Sequence, residues 1–428
     1  MSVLAIGLLL LALILINVPI AVALGVSAVV AMVVGPGGVG SLPNAALVMY
    51  SGATAFPLIA IPLFILAGAI MNASGISRRL IAFASSLVGF VRGGLSMVTI
   101  CASLFFAEIS GSAVADVAAL GSILIPAMKE KGYSREFAAA VTSSSATLAV
   151  IIPPSIPMIL YGVMSGSSIV ELFVAGIVPG IIGAALLMLV AYGLARRYDF
   201  PREQAFQTRR VWLTLKEAGW ALLLPVIILG GIFSGWVTAT EGAGLAVVAA
   251  IAIGVLAYGE LDASRLKTAM LDGGRQTAVV MLLVAASALL GDYLTEMRVP
   301  QAIASGITEL TTDRWAILLL LNVFFLVIGL FLHSAAAIIL VVPIVMPLVR
   351  AAGIDPVHFG LIVTLNLGIG QQTPPVASVL VTACSVAEAD IWKVSKANVY
   401  FVAVLVAVLA MVTYVPIVPM ALVEWFYR

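Results

Sequence analysis

Charged residues are scarce in this 428-residue chain, and none occurs among residues 1–77. Asp, Glu, Lys and Arg make up 10% of the chain, hydrophobic residues make up 63%, and the mean hydropathy is +1.20. Soluble domains carry about 25% charged residues, so this composition excludes a water-soluble globular protein. At about 20 residues for each crossing, the length predicts roughly ten to twelve membrane spans.

Other scarcities exclude further classes of protein. The two cysteines, Cys101 and Cys384, lie in apolar segments and have neither disulfide nor zinc spacing. The formal net charge of +1 argues against a nucleic-acid partner. No phosphate-binding Gly-x-x-x-x-Gly-Lys loop occurs, so ATP chemistry is not expected. An intramembrane enzyme is disfavoured because the chain has no histidine cluster and no general base near the Ser-Gly-Ser sequence at 110–112.

The N-terminal apolar run is predicted to be a retained helix. Residues 3–34 lack a preceding basic region and are too long for a cleaved signal sequence.

The chain contains an internal duplication. The same offset of 221 residues separates four pairs of landmarks: Pro126 and Pro347, Gly132 and Gly353, Pro153 and Pro374, and Pro154 and Pro375. We therefore predict two structural repeats, residues 1–195 and 218–428, joined by a link over 196–217.

The distribution of basic residues predicts how the repeats are oriented. The stretch 196–216 carries six basic residues, which places the link in the cytoplasm by the positive-inside rule. The loop over 129–135 has three basic residues, whereas the matching loop over 350–355 has one. This difference predicts that the repeats are inverted. The fold class is therefore an all-α polytopic membrane protein with two inverted repeats.

Each repeat is predicted to contain one re-entrant helical hairpin and one broken helix. The hairpins are expected at about 108–128, with a tip near 110–112, and at about 331–349. The broken helices are expected at about 137–164 and 359–384, because paired prolines lack N–H donors and disfavour helix in the preceding residue. Inverted repeats with paired broken helices are typical of secondary transporters that bind their solute midway across the membrane, between the repeats.

Polar residues cluster beside both proline pairs. Helix N-termini attract anions, whereas unwound carbonyls and hydroxyls suit sodium. The predicted residues of this substrate and ion site are Ser110, Gly111, Ser112, Asp116, Ser143, Ser144, Ser145, Thr147, Pro153, Pro154, Ser155, His333, Ser334, Asn366, Gly368, Gly370, Gln371, Gln372, Thr373, Pro374 and Pro375. A structural reading remains open for any single serine, because small and hydroxyl residues also let membrane helices pack closely.

Three further polar residues have two readings. Glu108, like Asp116, is an intramembrane carboxylate that could bind an ion or lie at the membrane interface. Glu241 could cap a helix or form a structural pair. His333 is a hydrogen-bonding residue or a proton relay. No metal is predicted apart from sodium, and its ligands within the two hairpins and broken helices stay open.

These segments resemble one known family, the large membrane subunit of tripartite ATP-independent periplasmic (TRAP) transporters. The resemblance covers nearly the whole chain in the expected order. The matching segments are 62–76, 109–121, 125–133, 151–155, 238–241, 353–360 and 373–375.

The resemblance implies a multi-pass protein of the bacterial inner membrane that imports a small organic anion with sodium as coupling ion and no other cofactor. It implies a periplasmic substrate-binding protein and a small four-helix membrane subunit, here expected on a separate chain. It also implies an elevator, in which a mobile transport domain holding both hairpins moves against a scaffold. The walls of the site would be 110–116 with 143–155, and 333–337 with 366–375.

The sequence departs from the family pattern at this expected site. Glu108 stands where Gly or Ala is expected, His333 where an acid is frequent, and Gln371-Gln372 where an apolar pair is usual. Ala377-Ser378 follows where Gly is common. The glutamines could donate to hydroxyls of a sugar acid, which argues against a plain dicarboxylate. The candidate solutes are sialic acid, sugar acids and C4-dicarboxylates. The alternatives are a stand-alone divalent-anion/sodium symporter, which needs no binding protein, and a channel or membrane scaffold.

Overall fold

A computed structural model describes residues 3–16, 18–35, 38–203 and 205–428, without the side chains of residues 3, 4, 15, 109 and 110. All regular structure within these ranges is helical. The helices of the first half are α1 (Val3–Leu15), α2 (Ile20–Val34), α3 (Leu42–Ala53), α4 (Ala60–Ala73), α5 (Ile76–Val88), α6 (Gly94–Ser110), α7 (Ala113–Glu130), α8 (Arg135–Ala146), α9 (Ile156–Ser165) and α10 (Ile169–Arg197). Those of the second half are α11 (Thr208–Phe233), α12 (Ala239–Ala252), α13 (Ala263–Glu296), α14 (Val299–Leu310), α15 (Arg314–Gly329), α16 (Ser334–Ala351), α17 (Pro356–Gly370), α18 (Ser378–Ala387), α19 (Ile391–Tyr414) and α20 (Ile417–Tyr427). Short 3-10 turns lie at Gly38–Ser41, Phe56–Ile59 and Thr147–Val150, and a π-helical turn at Ile253–Ala257 continues α12.

Seven helical segments of the described chain are long and apolar enough to cross a membrane. They are Phe56–Ala73, Ile169–Arg197, Thr208–Phe233, Ala239–Ala257, Ala263–Glu296, Ser334–Ala351 and Ile391–Tyr414. The prediction of a polytopic membrane protein is confirmed. The number of full-length crossings is smaller than predicted because much of the remaining apolar chain is divided into helices of 10–17 residues.

Three long apolar stretches are each divided in two. The helix predicted over 3–34 is two helices, α1 and α2, because Pro19 lacks an N–H and its ring clashes with a preceding helical turn. The stretch 81–106 is interrupted between α5 and α6, where Gly93 takes a left-handed φ of 72°. The stretch 399–423 is divided after Tyr414, next to Pro416.

Re-entrant hairpins are predicted at about 108–128 and 331–349, and the helices in these ranges extend beyond the predicted bounds. The chain turns at residues 111–112 and 330–333, and each turn is followed by an unbroken 18-residue helix. Helix α6 precedes the first turn and helix α15 precedes the second. The many small residues of α7 do not interrupt it, because alanine is the strongest helix former and Ser112 caps the helix start.

The two broken helices are interrupted at the paired prolines, as predicted. The first proline loop, residues 151–155, separates α8 and its 3-10 turn from α9. The second proline loop, residues 371–377, separates α17 from α18. The peptide bond within each proline pair is cis. The first proline loop is buried throughout, whereas the second is buried only at Gln371, Gln372 and Ala377, and its Pro375 is exposed. The helix before the second loop is interior, because every residue of α17 from Val357 to Gly370 is buried.

Candidate substrate and ion site

Each proline loop is hydrogen-bonded to the turn between two long helices of its own half. Ile156 N, just after the first proline loop, donates to Gly111 O over 3.2 Å. Val376 N, in the second proline loop, donates to Leu330 O over 3.3 Å. The turn after α6 and the turn after α15 are thus fixed to the two helix interruptions. This arrangement is the same in both halves.

The predicted site residue Gly111 is required by geometry. Its φ is 57°, and a Cβ atom here would lie 2.8 Å from the Pro154 carbonyl oxygen. An L-residue would therefore be strained and would push the first proline loop away.

Three predicted site residues cap helix N-termini. Ser112 Oγ accepts from Ala115 N over 3.5 Å, and Ser155 Oγ accepts from Met158 N over 3.4 Å. The Ser155 hydroxyl also donates to Val150 O over 2.6 Å. His333 Nδ1 accepts from Ala335 N over 3.4 Å, which gives this histidine a structural role.

The free backbone N–H groups at the start of α18 have a different hydrogen-bond acceptor from those at the start of α9. Its flanking residue Ala377 has a left-handed φ of 45° and no capping side chain. Instead, the backbone carbonyl of Gln371 accepts from Val379 N over 3.3 Å and from Leu380 N over 3.4 Å. A backbone oxygen thus occupies the helix end that was predicted to attract an anion.

A buried polar bridge joins the two halves of the chain through Ser143, Ser144, Thr147, Gln372 and Asn398. Gln372 Nε2 donates to Ser143 O over 2.7 Å and to Thr147 Oγ1 over 2.6 Å. Asn398 Nδ2 donates to Gln372 Oε1 over 3.3 Å, and Ser144 Oγ donates to Asn398 Oδ1 over 2.7 Å. The amide of Gln372 is fully engaged with protein, so the expectation that it contacts solute is not supported.

Two other amides in the interior have an unused polar atom. Asn366 donates to Asn322 Oδ1 over 2.6 Å and to Ile362 O over 2.8 Å. The Oδ1 atom of Asn366 has no hydrogen-bond partner among the described residues, and neither has Nε2 of Gln371. Both side chains are buried, at 0% and 3% exposure. Buried polar atoms are usually paired, so these two are candidates for contact with an ion, a solute or water.

The remaining predicted residues have packing or local backbone roles. Ser143 Oγ, Ser145 Oγ and Thr373 Oγ1 donate to carbonyls of their own helical turns. Ser334 is buried in the first turn of α16, and the Ser110 side chain lies outside the described part of the chain. A Cβ atom on Gly368 would lie 2.9 Å from Thr147 Cγ2, and one on Gly370 would lie 2.5 Å from the Gly329 backbone. These glycines allow α17 to approach both halves closely.

Comparison with known proteins identifies the family. Residues 8–418 match the family described as the DctM component of the tripartite ATP-independent periplasmic transporter. This chain is a DctM-family TRAP permease. It belongs to a family of transporter permeases rather than enzymes, and it is a multi-pass protein of the bacterial inner membrane.

Three curated relatives illustrate the range of the family. The chain is 41% identical over 408 residues to the isethionate TRAP transporter permease DctMQ of Oleidesulfovibrio alaskensis, a match over 95% of this chain and 64% of that protein. It is 38% identical to the C4-dicarboxylate TRAP large permease DctM of Pseudomonas aeruginosa, over 90% of each chain. It is 37% identical to the sialic acid TRAP large permease SiaM of Vibrio cholerae, over 89% of this chain and 90% of that one.

A solved transporter shares the fold of this TRAP permease. The crystal structure of the YdaH transporter of Alcanivorax borkumensis aligns with a TM-score of 0.66 at 16% identity. The alignment covers 98% of this chain and 99% of that one. At this identity the likeness concerns the fold alone.

Asp116 of the TRAP permease lies apart from the polar bridge. It is fully buried and lines a cavity of about 10 Å³, roughly the space of one water, with residues of α4, α5 and α6. The polar side chains beside it are Asn72 and Ser77. Asp116 is in the first turn of α7, and its side chain lines this cavity beside residues of α4, α5 and α6.

The other two acidic candidates differ in role. Glu108 lies half-buried on α6, just before the turn at Gly111. Glu241 forms a capping box at the start of α12, where its Oε2 accepts from Thr238 N over 2.8 Å. The helix-cap reading of Glu241 is therefore confirmed.

Sequence reasoning missed Asn398, Asn322 and Ser103. Asn398 completes the polar bridge, Asn322 pairs with Asn366, and Ser103 Oγ donates to Ser145 Oγ over 2.9 Å. All three lie within apolar helices, where an isolated polar side chain indicates contact between helices. The sequence signal is the isolated polar side chain itself, and it does not identify the partner.

Proposed function

We propose that this permease imports a small organic anion together with sodium, and that the solute binds between the two proline loops. The observation that carries the proposal is the matched pair of broken helices. Each is hydrogen-bonded to the turn between two helices of its own half, and the buried polar bridge links the two halves. Breaks of this kind expose backbone dipoles inside a membrane, which suits an anion and a monovalent cation.

The helix order and packing support the proposal of an inverted repeat. The series α4–α10 matches the series α13–α19, with the hairpins α6–α7 and α15–α16 in corresponding places. The packing is reciprocal, because α9 packs against α16 of the other half and α18 packs against α7. We propose that these hairpins and broken helices form the mobile domain of an elevator, and that α4, α5 and α11–α13 belong to its scaffold.

Sodium would be held by oxygen atoms at the helix breaks. Carbonyls of the proline loops and Asn366 Oδ1 are oxygen donors of the kind that unwound helices supply to sodium. No cofactor beyond the coupling ion is proposed.

The substrate is proposed to be an organic acid with hydroxyl groups. The three relatives are named for isethionate, a C4-dicarboxylate and sialic acid, all small organic anions. In this chain Gln371 offers an unpartnered amide N–H in the interior, a group that can donate to a hydroxyl or a carboxylate. This feature favours a sugar acid over a plain dicarboxylate.

Two protein partners are proposed, a periplasmic binding protein and a small membrane subunit. The relative named DctMQ is longer than this chain, which spans 64% of its length. The alternative is a stand-alone symporter of the divalent-anion type, which would work without a binding protein.

Uptake into sealed proteoliposomes tests this proposal. The vesicles would hold the permease with its small membrane subunit, under an inward sodium gradient, with sialic acid, sugar acids and C4-dicarboxylates tested in turn. We expect uptake that needs both sodium and the matching binding protein. Sodium-driven uptake without the binding protein would support the stand-alone symporter, and no uptake of any acid in tight vesicles would contradict both.

Replacing Gln371 with alanine tests the substrate assignment. We expect the apparent KM for a sugar acid to rise by about five- to tenfold, the equivalent of one hydrogen bond of about 1–1.5 kcal/mol, while the KM for an unhydroxylated dicarboxylate changes less. Initial uptake rates at varied solute concentration measure both values. Equal changes for the two solutes would remove Gln371 from solute recognition.

A further inference from the structure

Two cations occupy matching positions at the ends of the second hairpin arms. Lys129 lies in the last turn of α7, and Arg350 lies in the last turn of α16. They are 221 residues apart, the offset that also relates the paired prolines. Both ends of the hairpin system thus carry a positive charge.

Each cation reaches the end of a broken helix in the other half. Arg350 Nη2 donates to the carbonyl of Ser165, the last residue of α9, over 2.9 Å. Lys129 Nζ donates to the carbonyl of Ala387, the last residue of α18, over 3.5 Å. The contacts are reciprocal, since the first half supplies the cation in one and the carbonyl in the other.

The second contact includes an acid that the first lacks. Gly166 and Glu388 follow α9 and α18 in matching positions, and both have a left-handed φ, of 70° and 54°. Glu388 Oε2 lies 3.9 Å from Lys129 Nζ. Arg135 Nη1 also donates to Glu388 O over 3.5 Å.

The helix ends explain why cations suit these places. The last carbonyls of a helix lack intrahelical partners and carry partial negative charge, so a nearby cation stabilises the end by about 0.3–1 kcal/mol. Because α9 and α18 have only 10 residues each, their end contacts weigh heavily in their positioning.

The Lys129 and Arg350 contacts are both formed in the same conformation, so they are not alternating gates. In a transporter that opens to one membrane face at a time, a gate on one face would be open while the gate on the other is closed. Two contacts that are formed at the same time instead join parts of the protein that move together. The packing agrees, because α7 lies against α18 and α16 lies against α9 along their lengths.

We infer that Lys129 and Arg350 are a pair of positioning clasps that fix each hairpin to the broken helix of the opposite half throughout transport. The inference rests on the proposed elevator. The clasps keep the two walls of the site in register while the mobile domain moves against its scaffold.

Chemical cross-linking tests the clasps directly. In the full transporter with Cys101→Ala and Cys384→Ala, the pairs Lys129→Cys with Glu388→Cys and Arg350→Cys with Ser165→Cys would be joined by a short bifunctional thiol reagent. We expect reduced uptake before linking and recovered uptake after it, because the covalent link replaces the clasp. Linking that leaves uptake reduced or abolishes it would overturn the inference.

A different cysteine pair tests the proposed elevator motion independently of the clasps. Asn72 on α4 and Ala115 on α7 line the same small cavity, so linking cysteines at these positions should fix the hairpin to the scaffold. We expect that link to stop uptake. Uptake that persists after this link would contradict the elevator. The clasps are tested separately, by the 129–388 and 350–165 cross-links.

Charge variants give an independent measurement. We expect Lys129→Met and Arg350→Met each to reduce sodium-driven uptake about two- to fivefold, the equivalent of 0.3–1 kcal/mol, with Lys129→Arg and Arg350→Lys restoring it. Lys131→Met removes the cation that follows the end of α7 and pairs with Glu203 outside the clasp, and it serves as control. Wild-type uptake in both methionine variants would overturn the inference.

Discussion

Replacing Gln372 with alanine is expected to destabilise the folded permease by about 1–3 kcal/mol, because buried polar groups would lose their partners. The change removes the two hydrogen bonds to Ser143 and Thr147 and leaves Asn398 Nδ2 without its acceptor. All of these groups are buried, so water cannot readily replace the amide. A lower apparent midpoint of thermal unfolding in detergent is the measurement.

The neighbouring glutamine is the matched control. Gln371 is equally buried, but its side chain makes a single long contact, in which its Oε1 accepts from Ser378 Oγ over 3.4 Å. We expect Gln371→Ala to unfold close to the wild type. Equal destabilisation by the two variants would contradict a special role for the polar bridge.

Replacing Gly176 with alanine is expected to have a comparable or larger effect on stability. A Cβ atom at Gly176 in α10 would overlap the carbonyl oxygen of Ile151, at the start of the first proline loop. Overpacking of this kind costs about 1–3 kcal/mol, and the neighbour here is backbone that cannot rotate away. We expect both a lower unfolding temperature and reduced uptake, since the loop itself must move.

Gly193 lies on the same helix and provides the comparison. A Cβ atom at Gly193 would meet nothing within 4 Å. We expect Gly193→Ala to be neutral or slightly stabilising, because alanine favours helix over glycine by about 1 kcal/mol. If the two variants behave alike, the close approach of α10 to the loop is unimportant.

The breaks in this fold could be predicted from sequence because their causes are local. Paired prolines interrupt a helix wherever they occur, and the constant offset of 221 residues showed that the interruptions are related. The helix-cap reading of Glu241 rested on the spacing of Thr238 and Glu241, which is also a local pattern. Membrane location followed from composition alone.

The partners across the fold could not be predicted in the same way. Gln372 was predicted to contact the solute as one of the polar residues beside the second proline pair. Its side-chain orientation depends on Asn398 and Ser143, which are distant in sequence. Asp116 is four residues beyond Ser112, about one helical turn, yet it faces α4 and α5 rather than a proline loop.

Because the N-termini of α9 and α18 are capped by different groups, the two sides of the proposed site differ in how they would meet an anion. At α9 the hydroxyl of Ser155 accepts from Met158 N while its hydrogen is donated to Val150 O. At α18 the Gln371 carbonyl belongs to the main chain and presents a permanent negative dipole to the N–H groups of the helix. A carboxylate entering between the loops would meet this opposing carbonyl at α18 and a neutral hydroxyl at α9, so we expect it to settle against the Ser155 side.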